Sequence, residues 1–282
     1  MRDKTKTGLS PSSLALFQSC ERRYYHYKIE NTPHDSDYVD DVTSLQVGSA
    51  FHKILENRRH DLKGIKYGEV AAVVNEHGLN HAEYSPLVYA MVIRYREMHE
   101  ASRRKVIAVE FEIAEDGFLG YVDAIMTDPN GDWWICDMKT AASWNPAILP
   151  TLYSHPQLNL YALFAPYIAE SLGLDMADFA GCRYLLTTKS KLKMRDKETS
   201  EEYTKRLLGA VVSLDIEIPH EKMIPDVMGD IHNTVSRKIL INGRIEGNYC
   251  RNYNSCFTYY RPCPWFSKCH GFNYTDGLLQ DG

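Results

Sequence analysis

The sequence predicts an α/β fold: a mixed sheet flanked by helices, with a mainly helical N-terminal part and a cysteine-rich tail. Three observations carry that expectation. Apolar residues recur with helical spacing in the first third of the chain. From Val106 the pattern changes to short β-branched and aromatic runs separated by turn residues. Helix-like and strand-like segments then alternate, and four cysteines fall in the last 33 residues.

Leu14 to Lys28 reads as a helix, with Pro11 ahead of it and Ser12 or Ser13 able to cap it. Asn31 to Asp41, rich in Asp, Pro and Asn, reads as a loop. Leu45 to Asn57 and Ser85 to Ser102 have the apolar spacing of helices. Val106–Ile113, Leu119–Met126 and Trp133–Met138 read as a three-strand meander, with turns at Asp116–Gly117 and Asp128–Pro129–Asn130–Gly131. Tyr153 to Leu172 returns to helix and Cys182 to Thr187 to strand. Leu207 to Ile218 reads as a further strand and Glu221 to Leu240 as a helix. No repeat or Gly/Ser linker interrupts the 282 residues, so one domain is expected: 1–105 mainly helical, 106–240 the α/β core, 241–282 the tail.

Composition narrows the function classes. With 44% hydrophobic and 24% charged residues the chain is not of the disordered type. No apolar run is long enough to span a bilayer, and the start, MRDKTKTGLSPSS, lacks the apolar core of a signal peptide, so a cytoplasmic protein is expected. The net charge of −5 gives no bulk attraction for nucleic acid. DNA contact would need local basic patches, at Arg22–Lys28, Arg103–Lys105 or Lys189–Lys197, each of which reads first as a solvated face. In a cytoplasmic chain clustered cysteines point to metal rather than to disulfides. Cys136 and Cys182, in apolar strand-like runs, read as core residues.

The chemistry starts from Asp123, Asp137 and Lys139. Residues two apart on a strand share a face, so Asp137 and Lys139 project together from a segment that is otherwise apolar on both faces. Charges at the end of a buried strand need partners, and a divalent cation is one. Phosphodiester hydrolysis needs a hard cation on carboxylates and water, and a positive group beside the developing charge, which Lys139 supplies. Alone, Asp-x-Lys is also a common structural pair.

Its neighbours widen the pattern: Gly48-x-x-x-His52, then Glu110, then Gly-Tyr-Val-Asp at 120–123, Asp-Met-Lys-Thr at 137–140, and Gln157-x-x-x-Tyr161. In order and approximate spacing this resembles the RecB-like branch of the PD-(D/E)XK nucleases. The resemblance implies a restriction-endonuclease-like core and Mg2+ or Mn2+ held by His52, Asp123, Asp137 and the main-chain carbonyl of Met138. It makes Lys139 the catalytic lysine and Glu110 a catalytic or supporting carboxylate. Gln157 and Tyr161, one turn apart on a helix face, would reach a DNA phosphate or hold the lysine. Val122 stands where the motif's namesake proline would be.

The tail, Cys256 followed by six residues and Cys263, then five and Cys269, together with Cys20, resembles the iron–sulfur subset of that branch, found in AddB nuclease domains and CRISPR-associated exonucleases. It implies a [4Fe–4S] cluster on Cys20, Cys256, Cys263 and Cys269, with Cys250 spare. These spacings are wider than those of zinc knuckles and suit a cuboidal cluster, though zinc is the other reading. Such a staple would close a long loop, a structural role. Tyr24, Tyr25, Tyr27, Tyr259, Tyr260 and Trp265 either pack around the metal or stack bases. The implied activity is a DNA exonuclease on single-stranded or frayed ends in recombination, repair or replication. No G-x-x-x-x-G-K-[ST] motor sequence occurs, so the nuclease would stand alone or serve a helicase or recombination partner. The rivals are a catalytically silent DNA-binding scaffold of the same fold and a site-specific endonuclease.

Overall fold

The computed structural model describes residues 10–33, 43–115, 118–153, 156–223, 229, 233, 257, 258, 261–265, 268 and 269. The chain divides into two compact units, one of Met1–Asp40, Ala114–Gly120 and Pro225–Gly282, the other of Asp41–Ile113 and Tyr121–Ile224.

In the first unit, α1 (Pro11–Ser19) starts with Pro at its first position and with the Ser10 hydroxyl accepting from the Ser13 amide at 3.2 Å. The single helix expected over Leu14–Lys28 is broken at Cys20, whose backbone is extended at φ −167° and ψ 109°. The chain resumes as α2 (Glu21–Tyr24) and a π-helical turn over Tyr25–Ile29. Phe17, Tyr24 and Tyr25 bury themselves in one small cluster, which overrides continuous helix propensity.

In the second unit, α3 (Thr43–Asn57) buries Val47, Ala50, Phe51, Ile54 and Leu55, the stripe its sequence spacing dictates. The sequence reading missed α4 (Tyr67–Glu76), whose buried Val70, Ala71, Val73 and Val74 are too few to stand out as a period. α5 (His81–Ser102) begins earlier than expected because Asn80 caps it, accepting from the Ala82 amide at 3.0 Å.

The sheet has the order β1 (Lys105–Glu115), β2 (Phe118–Thr127), β3 (Trp133–Ala141), β4 (Phe179–Thr188) and β5 (Ser213–Pro219). β2 and β3 are antiparallel, joined by a turn in which Asp128 Oδ1 accepts from the Asn130 and Asp132 amides. β3 and β4 are parallel, with Asp137 opposite Tyr184 and Lys139 opposite Leu186. The crossover a parallel pair requires is helical. The segment Tyr153–Leu172, read as one helix, lies in α6 (Leu149–Tyr153), α7 (Pro156–Leu163) and α8 (Ala165–Leu172), with Pro166 in the first turn of the last.

Leu207–Ile218 is not one strand. Residues 207–210 complete α9 (Ser200–Ala210), and β5 starts only at Ser213. The helix wins because Thr199 and Glu202 form a capping box and Tyr203 and Leu207 bury one face. Of Glu221–Leu240, Glu221 and Lys222 belong to a 3-10 turn, while 224–228, 230–232 and 234–240 lie outside the described residues. β6 (Phe257–Thr258) pairs with β7 (Arg261–Pro262) in the tail.

One sheet face, through Ala124, Met126, Trp134, Cys136, Met138 and Leu185, shares a core with α3, α4, α5 and α9. The alternate residues Trp133, Ile135 and Asp137 are buried on the other, where the Cys182 thiol donates to the Leu158 carbonyl of α7 at 3.7 Å. Cys136 and Cys182 are fully buried core residues, as expected, and burial pushes the Cys136 thiol up to about 12. Among the described residues no helix is long and apolar enough to cross a membrane.

Candidate active site

The end of β3 is where an apolar strand turns polar. Trp133 through Met138 are buried, Asp137 to 1% exposure, and Lys139 emerges at the strand end. Lys139 Nζ donates to Asp137 Oδ1 at 3.1 Å and to Gln157 Oε1 at 2.8 Å, and Gln157 Nε2 donates to Asp137 Oδ1 at 2.8 Å. The three side chains close a triangle between β3 and α7. One turn along α7, Tyr161 is 3% exposed, and its hydroxyl donates to the Tyr121 carbonyl of β2 at 2.8 Å. Asp123, also on β2, accepts from the Met138 amide at 2.8 Å, which ties its carboxylate to the backbone of the β3 motif.

Burial pushes the Asp137 carboxyl up to about 6; Lys139 pulls the other way and the Asp123 carboxylate adds to the rise. Its Oδ2 is buried and pairs with Lys139 Nζ at 2.8 Å. Two carboxylates brought together in a buried setting call for positive charge, which Lys139 supplies here and a metal ion would add to.

His52 lies on α3, half-buried, close enough that a positive charge on its ring would favour the Asp137 carboxylate. What lets α3 approach β3 is Gly48, one turn earlier: a Cβ there would stand 2.8 Å from Thr140 Oγ1. The Gly-x-x-x-His and Asp-Met-Lys-Thr segments are therefore two sides of one contact. Glu110 sits in β1 with its backbone at φ 48°, a left-handed conformation uncommon for a residue with a side chain.

Among the described residues no three His, Cys, Asp or Glu side chains stand grouped to hold a metal. The carboxylates of Asp123 and Asp137 nonetheless suit Mg2+, which is bound through one or two carboxylates and keeps several waters and substrate oxygens. For the second expected metal group, Cys20 and Cys269 are buried and Cys263 is half-exposed, none in a disulfide, while Cys250 and Cys256 lie outside the described residues. Tail and N-terminal segment do meet within the first unit. Trp265 Nε1 donates to the Thr32 carbonyl at 3.0 Å, the Trp265 ring lies 5.7 Å from Tyr27, and Lys268 pairs with Glu30 at 3.3 Å. Of the flanking aromatics, Tyr24 and Tyr25 are buried and Tyr27 is 46% exposed; Tyr259 and Tyr260 lie outside the described residues.

Sequence reasoning missed a buried cluster behind His52. His60 Nδ1 lies 2.6 Å from the Tyr95 hydroxyl, and His99 stacks on Tyr95. Their sequence separation hid them. Of the basic patches, Arg104 is paired with Asp215 and His26 is buried against Glu30, so neither is a free surface charge.

A family model described as the PD-(D/E)XK nuclease superfamily matches residues 8–256. No curated protein sequence matches the chain. Among solved structures, one described as "Crystal structure of SSO0001" is similar at 13% sequence identity over 83% of this chain and 87% of that one, with a TM-score of 0.26, a likeness too slight to carry an argument. The family match spans the helix bearing His52, both aspartates, the lysine and the glutamine; the chain belongs to the PD-(D/E)XK nuclease superfamily, a family of nucleases that use divalent metals such as Mg2+ and take DNA as substrate.

Proposed function

We propose that the protein is an exonuclease of the RecB-like branch, hydrolysing single-stranded or frayed DNA ends in recombination, repair or replication, alone or beside a helicase or recombination partner. The observation that carries the catalytic part is the buried Asp137 carboxylate, bonded to Lys139 and Gln157 and raised by its burial and by the neighbouring Asp123 carboxylate.

In this reading Asp123, Asp137, His52 and the Met138 carbonyl hold Mg2+ or Mn2+. The ion, when bound, polarises the scissile phosphate and lowers the pKa of the attacking water. Lys139 stabilises negative charge developing on the phosphate. Gln157 holds Lys139 and Asp137 in register, and Tyr161, its hydroxyl engaged by Tyr121, braces β2 against α7 rather than touching DNA. Glu110, in its strained backbone, orients the site from β1, since such strain concentrates at functional positions.

A [4Fe–4S] cluster on Cys20, Cys256, Cys263 and Cys269 would hold the tail to the N-terminal helices. The break in the helix at Cys20 and the Trp265–Thr32 and Lys268–Glu30 contacts support it. Its role is structural.

The test is cleavage of end-labelled linear and covalently closed circular DNA in Mg2+ and in Mn2+, by anaerobically purified protein and by Asp137→Ala. Metal-dependent loss of linear DNA alone, by wild type only, is the expected result. Cleavage of circles would make it an endonuclease; no cleavage by wild type with the cluster intact would make it a binding subunit.

A further inference from the structure

The segment 189–197 leaves the sheet beside the catalytic strand. The Lys189 amide donates to the Ala141 carbonyl at 2.6 Å, two residues past Lys139. From there to the turn at 196–197 the chain is neither helix nor strand, and cations occupy every second position: Lys189, Lys191, Lys193, Arg195 and Lys197. At its start the Ser190 hydroxyl accepts from the Leu192 amide at 3.2 Å.

Lys189 is engaged, its ammonium donating to the Ser44 carbonyl at 3.0 Å and hydroxyl at 2.7 Å. Lys191, Lys193, Arg195 and Lys197 are exposed, and among the described residues none forms an ion pair. Of the two carboxylates beside them, Asp196 is exposed in the turn, and Glu198 is paired with Arg206 of α9 at 2.7 Å, which holds it down to about 2. The same helix fixes the backbone of the strip. The hydroxyl of Tyr203, 2% exposed, donates to the Leu192 carbonyl at 2.7 Å, and Arg206 Nη2 donates to the Lys193 carbonyl at 2.8 Å. The Arg195 amide donates to Glu198 Oε2 at 2.8 Å. A row of like charges repels itself, yet here its main chain is anchored while its charges are left facing solvent.

We propose that this strip is a clamp for the phosphate backbone, with the DNA strand whose end reaches Asp137 and Lys139 running along Lys191, Lys193 and Arg195. The proposal rests on the nuclease reading above and adds where the substrate lies. A polyanion is the partner that complements a run of exposed cations, anchored through its main chain, on a chain of net charge −5.

The test is fluorescence-anisotropy binding of a labelled oligonucleotide, single-stranded and with a frayed duplex end, in EDTA so that nothing is cut, across a salt series. Three proteins are compared: wild type, Lys191→Gln/Lys193→Gln/Arg195→Gln, and a control with the same charge change between α3 and α4, Arg59→Gln/Lys63→Gln/Lys66→Gln. Circular dichroism checks that each is folded. Loss of three phosphate contacts should lower the slope of log affinity against log salt by about 2 and weaken low-salt binding at least tenfold, with the control near wild type. An unchanged slope, or an equal fall in the control, overturns the clamp while leaving a wild type that cuts DNA as a nuclease. A wild type that neither binds nor cuts DNA overturns both.

Discussion

A single methyl group at Gly48 tests how the helix carrying His52 is seated on the catalytic strand. A Cβ there would lie 2.8 Å from Thr140 Oγ1 and 4.0 Å from Thr140 Cβ, whereas ordinary contact begins at 3.4 Å. Thr140 is β-branched and in a strand, so its χ1 is restricted, and α3 must yield by about 0.6 Å. Overpacking of this kind costs about 1–3 kcal/mol, while alanine in place of glycine returns up to about 1 kcal/mol of helix propensity. The net effect of Gly48→Ala is thus about 0–3 kcal/mol of destabilisation, so the single variant decides little. Thr140→Ala removes the clashing oxygen. In that background Gly48→Ala should stabilise, giving a coupling of about 1–3 kcal/mol in a urea-denaturation double-mutant cycle. Displacing His52 should also lower the cleavage rate about tenfold or more in the single variant, with recovery in the double. Additive effects, with coupling below about 0.5 kcal/mol, would refute the seating of α3 on Thr140.

Other outcomes follow from the same structure. His60 is 3% exposed, and its pKa is lowered to about 3, chiefly by burial and then by His99 and His52. A histidine depressed on folding contributes stability that is present above its unfolded value of about 6.5 and lost as pH falls towards the folded value. About 2 kcal/mol should therefore disappear between pH 7 and pH 5, and His60→Gln, which keeps a partner for Tyr95, should flatten that part of the profile; parallel profiles would count against it. Gln157→Leu removes the two 2.8 Å bonds to Lys139 and Asp137 and should cut kcat at least tenfold with little change in DNA affinity. Weakened affinity at normal kcat would instead make Gln157 a phosphate contact. Cys20→Ala should lower both iron content and thermal stability; if neither moves, the cluster assignment is wrong.

The sequence by itself carried the α/β order, the meander that holds Asp123 and Asp137, and the shared face of Asp137 and Lys139. These are local: period two on a strand and turn residues at Asp128 are properties of neighbours in the chain. Boundaries set by competition were misread, as at Cys20, where aromatic burial breaks a helix, and at Leu207, where a capping box extends one. Only the tertiary structure decided that Gln157 bridges Lys139 and Asp137, that Gly48 lies against Thr140, and that the Lys191–Arg195 strip starts beside the catalytic strand. Those contacts join residues far apart in the chain through a parallel strand pair and its crossover, and no local pattern encodes which side chains such a pairing brings within bonding distance.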